Sequence, residues 1–96
     1  MPDPPVRLVR AGPLESKLTQ GIYHALAREM MESSQDTIIL CNPKSPYLCI
    51  GYHQVLDSVL DRKICDNKKL PILRRRVGGG ATYLDHNQVF YQCIFH

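Results

Sequence analysis

Gly78-Gly79-Gly80 follows Arg74-Arg75-Arg76-Val77 and runs straight into Ala81-Thr82-Tyr83-Leu84-Asp85. Three glycines in a row lose too much backbone entropy to sit inside a helix or strand, so the chain must turn here. The flanking residues predict a strand entered at Pro71-Ile72-Leu73, interrupted by the arginine-glycine segment and resumed over 81–84. Without Cβ atoms, backbone N–H groups can approach a ligand closely, and such a turn can form a concave anion nest. Arginine adds a planar, permanently charged fork that matches phosphate or carboxylate oxygens. Glycines alone are turn chemistry, and arginines alone are a solvated face. Side by side they point to a negatively charged ligand with the character of an acyl phosphate or adenylate.

The remaining pattern predicts an α+β fold, with a mixed or mostly antiparallel sheet and helices packed on one side. Val6-Arg7-Leu8-Val9-Arg10 reads as a short strand that Gly12-Pro13 breaks. Leu14, Leu18, Ile22, Leu26 and Met30 recur every four residues, which predicts an amphipathic helix over 14–33. Thr37-Ile38-Ile39-Leu40-Cys41 is a continuous apolar run of the kind covered on both faces. Asn42-Pro43-Lys44-Ser45-Pro46 is turn chemistry, and Tyr47-Leu48-Cys49-Ile50 returns, giving an expected hairpin with a five-residue loop. Asp57 or Ser58 caps a second helix through Leu60 and Ile64 to about Asn67. Asp85-His86-Asn87-Gln88 forms a turn, and the chain closes on a strand from Val89 to His96.

Composition narrows the function classes. A chain of 96 residues supports one small core, and a net charge of +3 is too modest for a general nucleic-acid coat. No stretch approaches the roughly 20 apolar residues of a membrane helix. Residues 1–5, Met-Pro-Asp-Pro-Pro, read as a flexible lead-in rather than a signal peptide. Cys41, Cys49, Cys65 and Cys93 show neither a CxxC nor close histidines, so neither zinc nor a disulfide is expected. Free thiols suit a reducing compartment, and the expected location is the cytoplasm, or the mitochondrion in a eukaryote. Tyr23 and His24 lie beside the helical stripe and read as scaffold.

The order Arg-Arg-x-x-Gly-Gly-Gly, then strand residues and Asp, resembles the lipoate-protein ligase family, which shares its fold with biotin ligases and octanoyltransferases. Arg74 and Arg75 fall on the arginine pair, Gly78 to Gly80 on the glycines and Asp85 on the acidic residue. Cys49-Ile50-Gly51-Tyr52-His53-Gln54 resembles the family's upstream strand and turn, so the resemblance spans about Thr37 to the end. It implies that 1–96 is the N-terminal part of one catalytic domain, and that the fold is incomplete. Val77 stands where family ligases carry Ser or Thr, and Leu84 stands where many carry His. Gln88 occupies a place closer to what octanoyltransferases show.

By this resemblance, lipoate is the substrate and ATP with Mg the cofactor. The carboxylate is activated to lipoyl-adenylate, and the acyl group passes to a lysine of a lipoyl-acceptor domain in a 2-oxoacid dehydrogenase or glycine-cleavage protein. The implied ligand-binding residues are Arg74, Arg75, Gly78, Gly79, Gly80, Ala81, Thr82 and Gln88, with Arg75 on the carboxylate or phosphate and Arg74 either binding or propping the loop. Alternation sends Ala81 and Tyr83 to one face, where small Ala81 leaves room for an acyl chain. Gln54 either bonds the ligand or closes a surface turn, and Asp85 caps its turn. No catalytic residue and no metal ligand is assigned. The family's essential lysine follows the glycines, whereas Lys17, Lys44, Lys63, Lys68 and Lys69 all precede them. An octanoyl or lipoyl transferase that needs no ATP stays open, as does a non-catalytic ligand-binding half. A C-terminal companion chain or domain is a further expected partner; nucleic acid and membrane are not.

Overall fold

The computed structural model describes residues 4–96. In chain order the elements are β1 (Arg7–Leu14), α1 (Ser16–Glu29), β2 (Thr37–Pro43), β3 (Tyr47–Ile50), α2 (Leu56–Val59), α3 (Arg62–Asn67), β4 (Ile72–Arg74), β5 (Thr82–Leu84) and β6 (Phe90–Ile94). The expected lead-in falls partly on residues 1–3, outside the described residues. Pro4 and Pro5 are exposed and precede β1.

The α+β class with mixed strand pairing holds, and the strands divide into two three-stranded sheets. β2 is central in the first, with β1 parallel on one side and β6 antiparallel on the other. β3 is central in the second, with β4 parallel and β5 antiparallel. The expected hairpin of β2 and β3 therefore does not form. Both edges of β2 are taken, and its end stays on β1, with Leu14 opposite Pro43 and the Lys44 N–H donating to the Leu14 carbonyl at 2.8 Å. The short link then carries the chain to the other sheet. Gly12-Pro13 does not end β1 either, because a bulge between Arg10 and Gly12 absorbs it.

The two strands flanking the arginine-glycine segment also differ from expectation. They lie on opposite sides of β3, so the segment crosses over the end of that strand instead of interrupting one strand. The second helix is two short ones. Leu60 is extended, and the Asp61 carboxylate accepts from Lys63 N at 3.0 Å and Ile64 N at 3.2 Å, starting a fresh helix that ends at Asn67 as expected.

α1 is shorter than the periodicity predicts. Leu14 belongs to β1, and Met30 is already extended. Leu18 of the apolar stripe is 53% exposed, and the residue the helix buries is Thr19. The reason is a chain of hydroxyl hydrogen bonds. Gln20 Nε2 donates to the Tyr47 hydroxyl at 2.9 Å, that hydroxyl pairs with Thr19 Oγ1 at 2.6 Å, and Thr19 Oγ1 donates to the Ser16 carbonyl at 2.7 Å. Each hydroxyl has one proton, so Tyr47 must donate to Thr19. Gln92 Nε2 of β6 donates to the Thr19 carbonyl at 3.0 Å. Through these bonds α1 holds both sheets, Tyr47 from one and Gln92 from the other.

β2 is not covered on both faces. Thr37, Ile39, Cys41 and Pro43 are buried, while the alternate residues are half-buried. Register places Leu8, Ile38 and Cys93 side by side, then Arg10, Leu40 and Tyr91. On that face Leu8, Tyr91 and Cys93 are exposed, which leaves an open apolar surface beside the free edge of β6.

Burial pushes the Tyr47 phenol above its usual value of 10.0, against the opposing pull of its bonds to Gln20 and Thr19. A raised phenol favours the neutral form in the folded state, so its contribution is complete below pH 10 and is lost as pH rises through the higher folded value. Tyr47→Phe is expected to lower unfolding stability by about 1–3 kcal/mol. It should also flatten the decline in stability above pH 10, both read by urea denaturation across pH.

Candidate functional site

The crossing loop is built on the turn that follows β3. Gln54 Oε1 accepts from the Gly51 N–H at 2.8 Å, so this side chain closes its own turn. Arg74 reaches back from β4, and its Nη1 donates to the carbonyls of Gly51 (3.2 Å), Tyr52 (3.0 Å) and Gln54 (2.5 Å). Arg74 thus props the turn through backbone carbonyls. The loop is then sewn to it by Tyr52 N to the Val77 carbonyl and Arg75 N to the Ile50 carbonyl, both at 3.0 Å.

The glycines have unequal roles. Gly79 stands at φ 112, a conformation that L side chains rarely adopt, and a Cβ there would sit 2.8 Å from Arg75 Nη2. A Cβ on buried Gly51 would overlap the Gly79 carbonyl, so the closest approach in the site belongs to a glycine outside the GGG run. Gly78 and Gly80 have ordinary room for a side chain.

Arg75 sits at the centre. Nη2 donates to the carbonyls of Gly80 (2.6 Å) and Gly78 (3.2 Å), and Nη1 to that of Cys49 (3.4 Å). A guanidinium has five donors, so Nε–H and one N–H of Nη1 have no partner among the described residues. Arg75 also lines a cavity of about 380 Å³ between the sheets, walled by Gln20, Cys49, Thr82, Leu84, Phe90 and Gln92 among others. That volume falls in the range of small-molecule sites, about 300–1,000 Å³. Nearby, burial raises the Tyr23 phenol, Cys49 adds to the rise, and the Arg75 charge opposes it.

Of the sequence candidates, Arg75 and Thr82 line this cavity, and Arg74 and Arg75 line a second one beside α1. Gly78, Gly79 and Gly80 form the exposed loop above. The cavity takes Thr82 and Leu84 from β5, while Ala81 and Tyr83 are exposed and line neither cavity. Gln88 lies apart: its Oε1 accepts from Asp85 N at 2.7 Å, its Nε2 donates to the Tyr83 carbonyl at 3.4 Å, and Asp85 caps the turn through Asn87 N. Sequence reasoning missed Gln20, Phe90 and Gln92. Gln92 carried a signal, as an amide inside an apolar strand. Gln20 carried none, since its helix face was read from the leucine stripe. Among the described residues no cluster of three or more His, Cys, Asp or Glu side chains is placed to hold a metal.

The sequence profile described as the lipoyl protein ligase A/B catalytic domain matches residues 19–96, and the chain belongs to that family. Solved structures agree on the fold. A lipoate-protein ligase A bound with ATP superposes at TM-score 0.82 with 22% identity, over 91% of this chain and 35% of that one. LipL1 of P. falciparum in complex with lipoate gives 0.84 at 16% identity, over 93% and 30%. A bi-partite lipoate protein ligase from Thermoplasma acidophilum, described with its E2 lipoyl domain, gives 0.81 at 20%, over 91% and 34%. The chain therefore spans about a third of the length of the structures it matches. Comparison with curated proteins gives no match.

The packing orders the substitutions. Gly51→Ala should be the most damaging, because backbone must move, with a loss of about 1–3 kcal/mol. Gly79→Ala should cost about 1–2 kcal/mol for its left-handed backbone, and Gly80→Ala should stay within about 0.5 kcal/mol. Denaturation midpoints of the three variants, with amide exchange in 75–80, check this order.

Proposed function

We propose that residues 1–96 are the N-terminal part of one lipoate-protein ligase catalytic domain, which activates lipoate with ATP to lipoyl-adenylate and passes the lipoyl group to an acceptor lysine. One observation carries this reading. Arg75, with two donors to spare, lines a cavity whose walls include Leu84 and Phe90. An anion-binding head on an apolar pocket fits an acyl chain that ends in a carboxylate or acyl phosphate.

In the first step a carboxylate oxygen attacks the α-phosphorus of ATP, forming the mixed anhydride and releasing pyrophosphate. In the second the lysine amine attacks the acyl carbon and AMP leaves. Arg75 binds and orients the anionic group, and the loop N–H groups stabilise charge developing on its oxygens. Gly78 to Gly80 shape the loop, Thr82 and Leu84 wall the acyl chain, and Arg74 holds the platform. Ala81 and Gln88 line neither cavity and take no ligand contact in this reading. With no acidic cluster among the described residues, a magnesium ion would travel on the nucleotide's own phosphates. Lysine chemistry and much of the acyl wall belong to a companion segment or chain, and the open face of the β1–β2–β6 sheet supports that reading.

The acceptor is proposed to be a lipoyl domain of a 2-oxoacid dehydrogenase or glycine-cleavage protein, as the archaeal ligase is paired with an E2 lipoyl domain. Four free cysteines suit a reducing compartment, the cytoplasm or mitochondrion. Among the described residues no helix is long and apolar enough to cross a membrane.

Isothermal titration with a non-hydrolysable lipoyl-adenylate mimic tests the site. The wild-type chain should bind, and Arg75→Ala should weaken binding at least tenfold, roughly the 1.4 kcal/mol of a charge-assisted contact. Leu84→Trp should block the mimic more than Ala81→Leu. Full affinity in Arg75→Ala would remove the ligand from this loop, and acyl transfer from a carrier without pyrophosphate release would favour the transferase.

A further inference from the structure

A second groove of about 310 Å³ runs between α1 and β4 and shares Gln20 and Arg75 with the acyl cavity. Lys17, Gly21, Ala25 and Arg28 of α1 form one wall, and Arg74 and Arg76 stand on the other. No side chain of the lining is acidic. The one ion pair among the described residues joins Arg62 to Asp57, away from this groove. Lys17, Arg28 and Arg76 therefore present charge that no carboxylate of the described residues neutralises. His24 lines the same groove, and its Nε2 is shielded from solvent without a hydrogen-bond partner among those residues.

The shape selects among anions. Lys17 and Arg28 are 11 positions apart on a helix, so at about 1.5 Å per residue they stand roughly 16 Å apart along the axis. Between them Gly21 and Ala25 leave the floor low, and a Cβ at Gly21 would meet nothing within 4 Å. A single phosphate is too short to use both ends of such a trough. An extended polypeptide rises about 3.3 Å per residue, so about five residues lie along it with alternate side chains reaching the cations. Single-stranded nucleic acid would call for aromatic stacking platforms, and the lining has no Tyr, Phe or Trp.

We infer that the α1–β4 groove is a docking site for an extended acidic segment of a partner polypeptide, seated between Lys17 and Arg28 over Gly21. The cations and the low floor that define the groove, Lys17, Arg28, Arg76 and Gly21, line it and not the acyl cavity. Only the identity of the partner, the protein that receives the acyl group, rests on the ligase reading. An acidic segment in this groove lies one arginine away from the arginine-glycine loop, since Arg75 lines both cavities.

The test is fluorescence anisotropy of the whole chain with a labelled peptide of six glutamates flanked by glycines, at low and moderate salt. Binding is expected. It should weaken at least tenfold in Lys17→Glu/Arg28→Glu and in Gly21→Gln, the latter a change that an exposed helix position tolerates well. Lys63→Glu/Lys68→Glu, outside the groove, should bind like wild type. Equal loss in both charge-reversal pairs would reduce the effect to net charge and overturn the proposal. So would displacement of the peptide by tripolyphosphate or by a single-stranded oligonucleotide at lower concentration than by unlabelled peptide. The lipoyl-adenylate mimic, titrated into the Lys17→Glu/Arg28→Glu chain, separates the two readings. Retained mimic binding with lost peptide binding supports the groove. Groove-dependent peptide binding in a wild-type chain that ignores the mimic both alone and together with its companion segment leaves the groove standing and removes the ligase reading.

Discussion

The hydroxyl chain from Gln20 through Tyr47 and Thr19 to the Ser16 carbonyl is the constraint on which the rest of the fold depends. Tyr47 and Thr19 are both fully buried, and each side-chain oxygen is both donor and acceptor, so the desolvation of two hydroxyls is offset inside the chain. The two three-stranded sheets share no strand, so what joins them must come from outside both. α1 joins them by polar contacts at one point, which is why its buried residue is a threonine and its leucine at 18 is left outside. Gln20, which donates to Tyr47 in this joint, also lines the cavity walled by Thr82 and Leu84 of β5 and Phe90 and Gln92 of β6, so joint and pocket share a residue.

The arginine pair divides the labour of the site. Arg74 binds three carbonyls of the turn after β3, and this fixes the ground on which the loop rests. Arg75 binds carbonyls of the loop itself, so its position and the shape of the glycine segment determine each other. The tightest steric point, Gly51 against the Gly79 carbonyl, lies between the two motifs that carry the family resemblance. Their spacing in sequence is thus the spacing of two surfaces that must touch.

Most strands and the α+β class were legible because apolar runs and turn residues alternate clearly. The pairing was not. Which strand lies beside β2 depends on partners 30 and 50 residues away, and adjacency in sequence suggested a hairpin that the occupied edges of β2 forbid. Asp57 and Ser58 were plausible caps, yet Asp61 caps the helix that matters, a choice made by the extended backbone at Leu60. In the site, Arg75 was legible from its neighbours, whereas Gln20 and Gln92 were not, because their roles follow from where two distant elements meet. The stripe of leucines misled for a related reason: periodicity reports which residues share a face, and not whether anything covers it.

β6 contains no charged residue from Phe90 to Ile94, has one unpaired edge, and turns Tyr91 and Cys93 outward. Charges and prolines are what normally keep such an edge from recruiting another strand. Without them, two copies of this chain can extend each other's sheet through the row of backbone groups along β6. Self-association through this edge would rise with the concentration of the chain, and a single charge placed on β6 would oppose it.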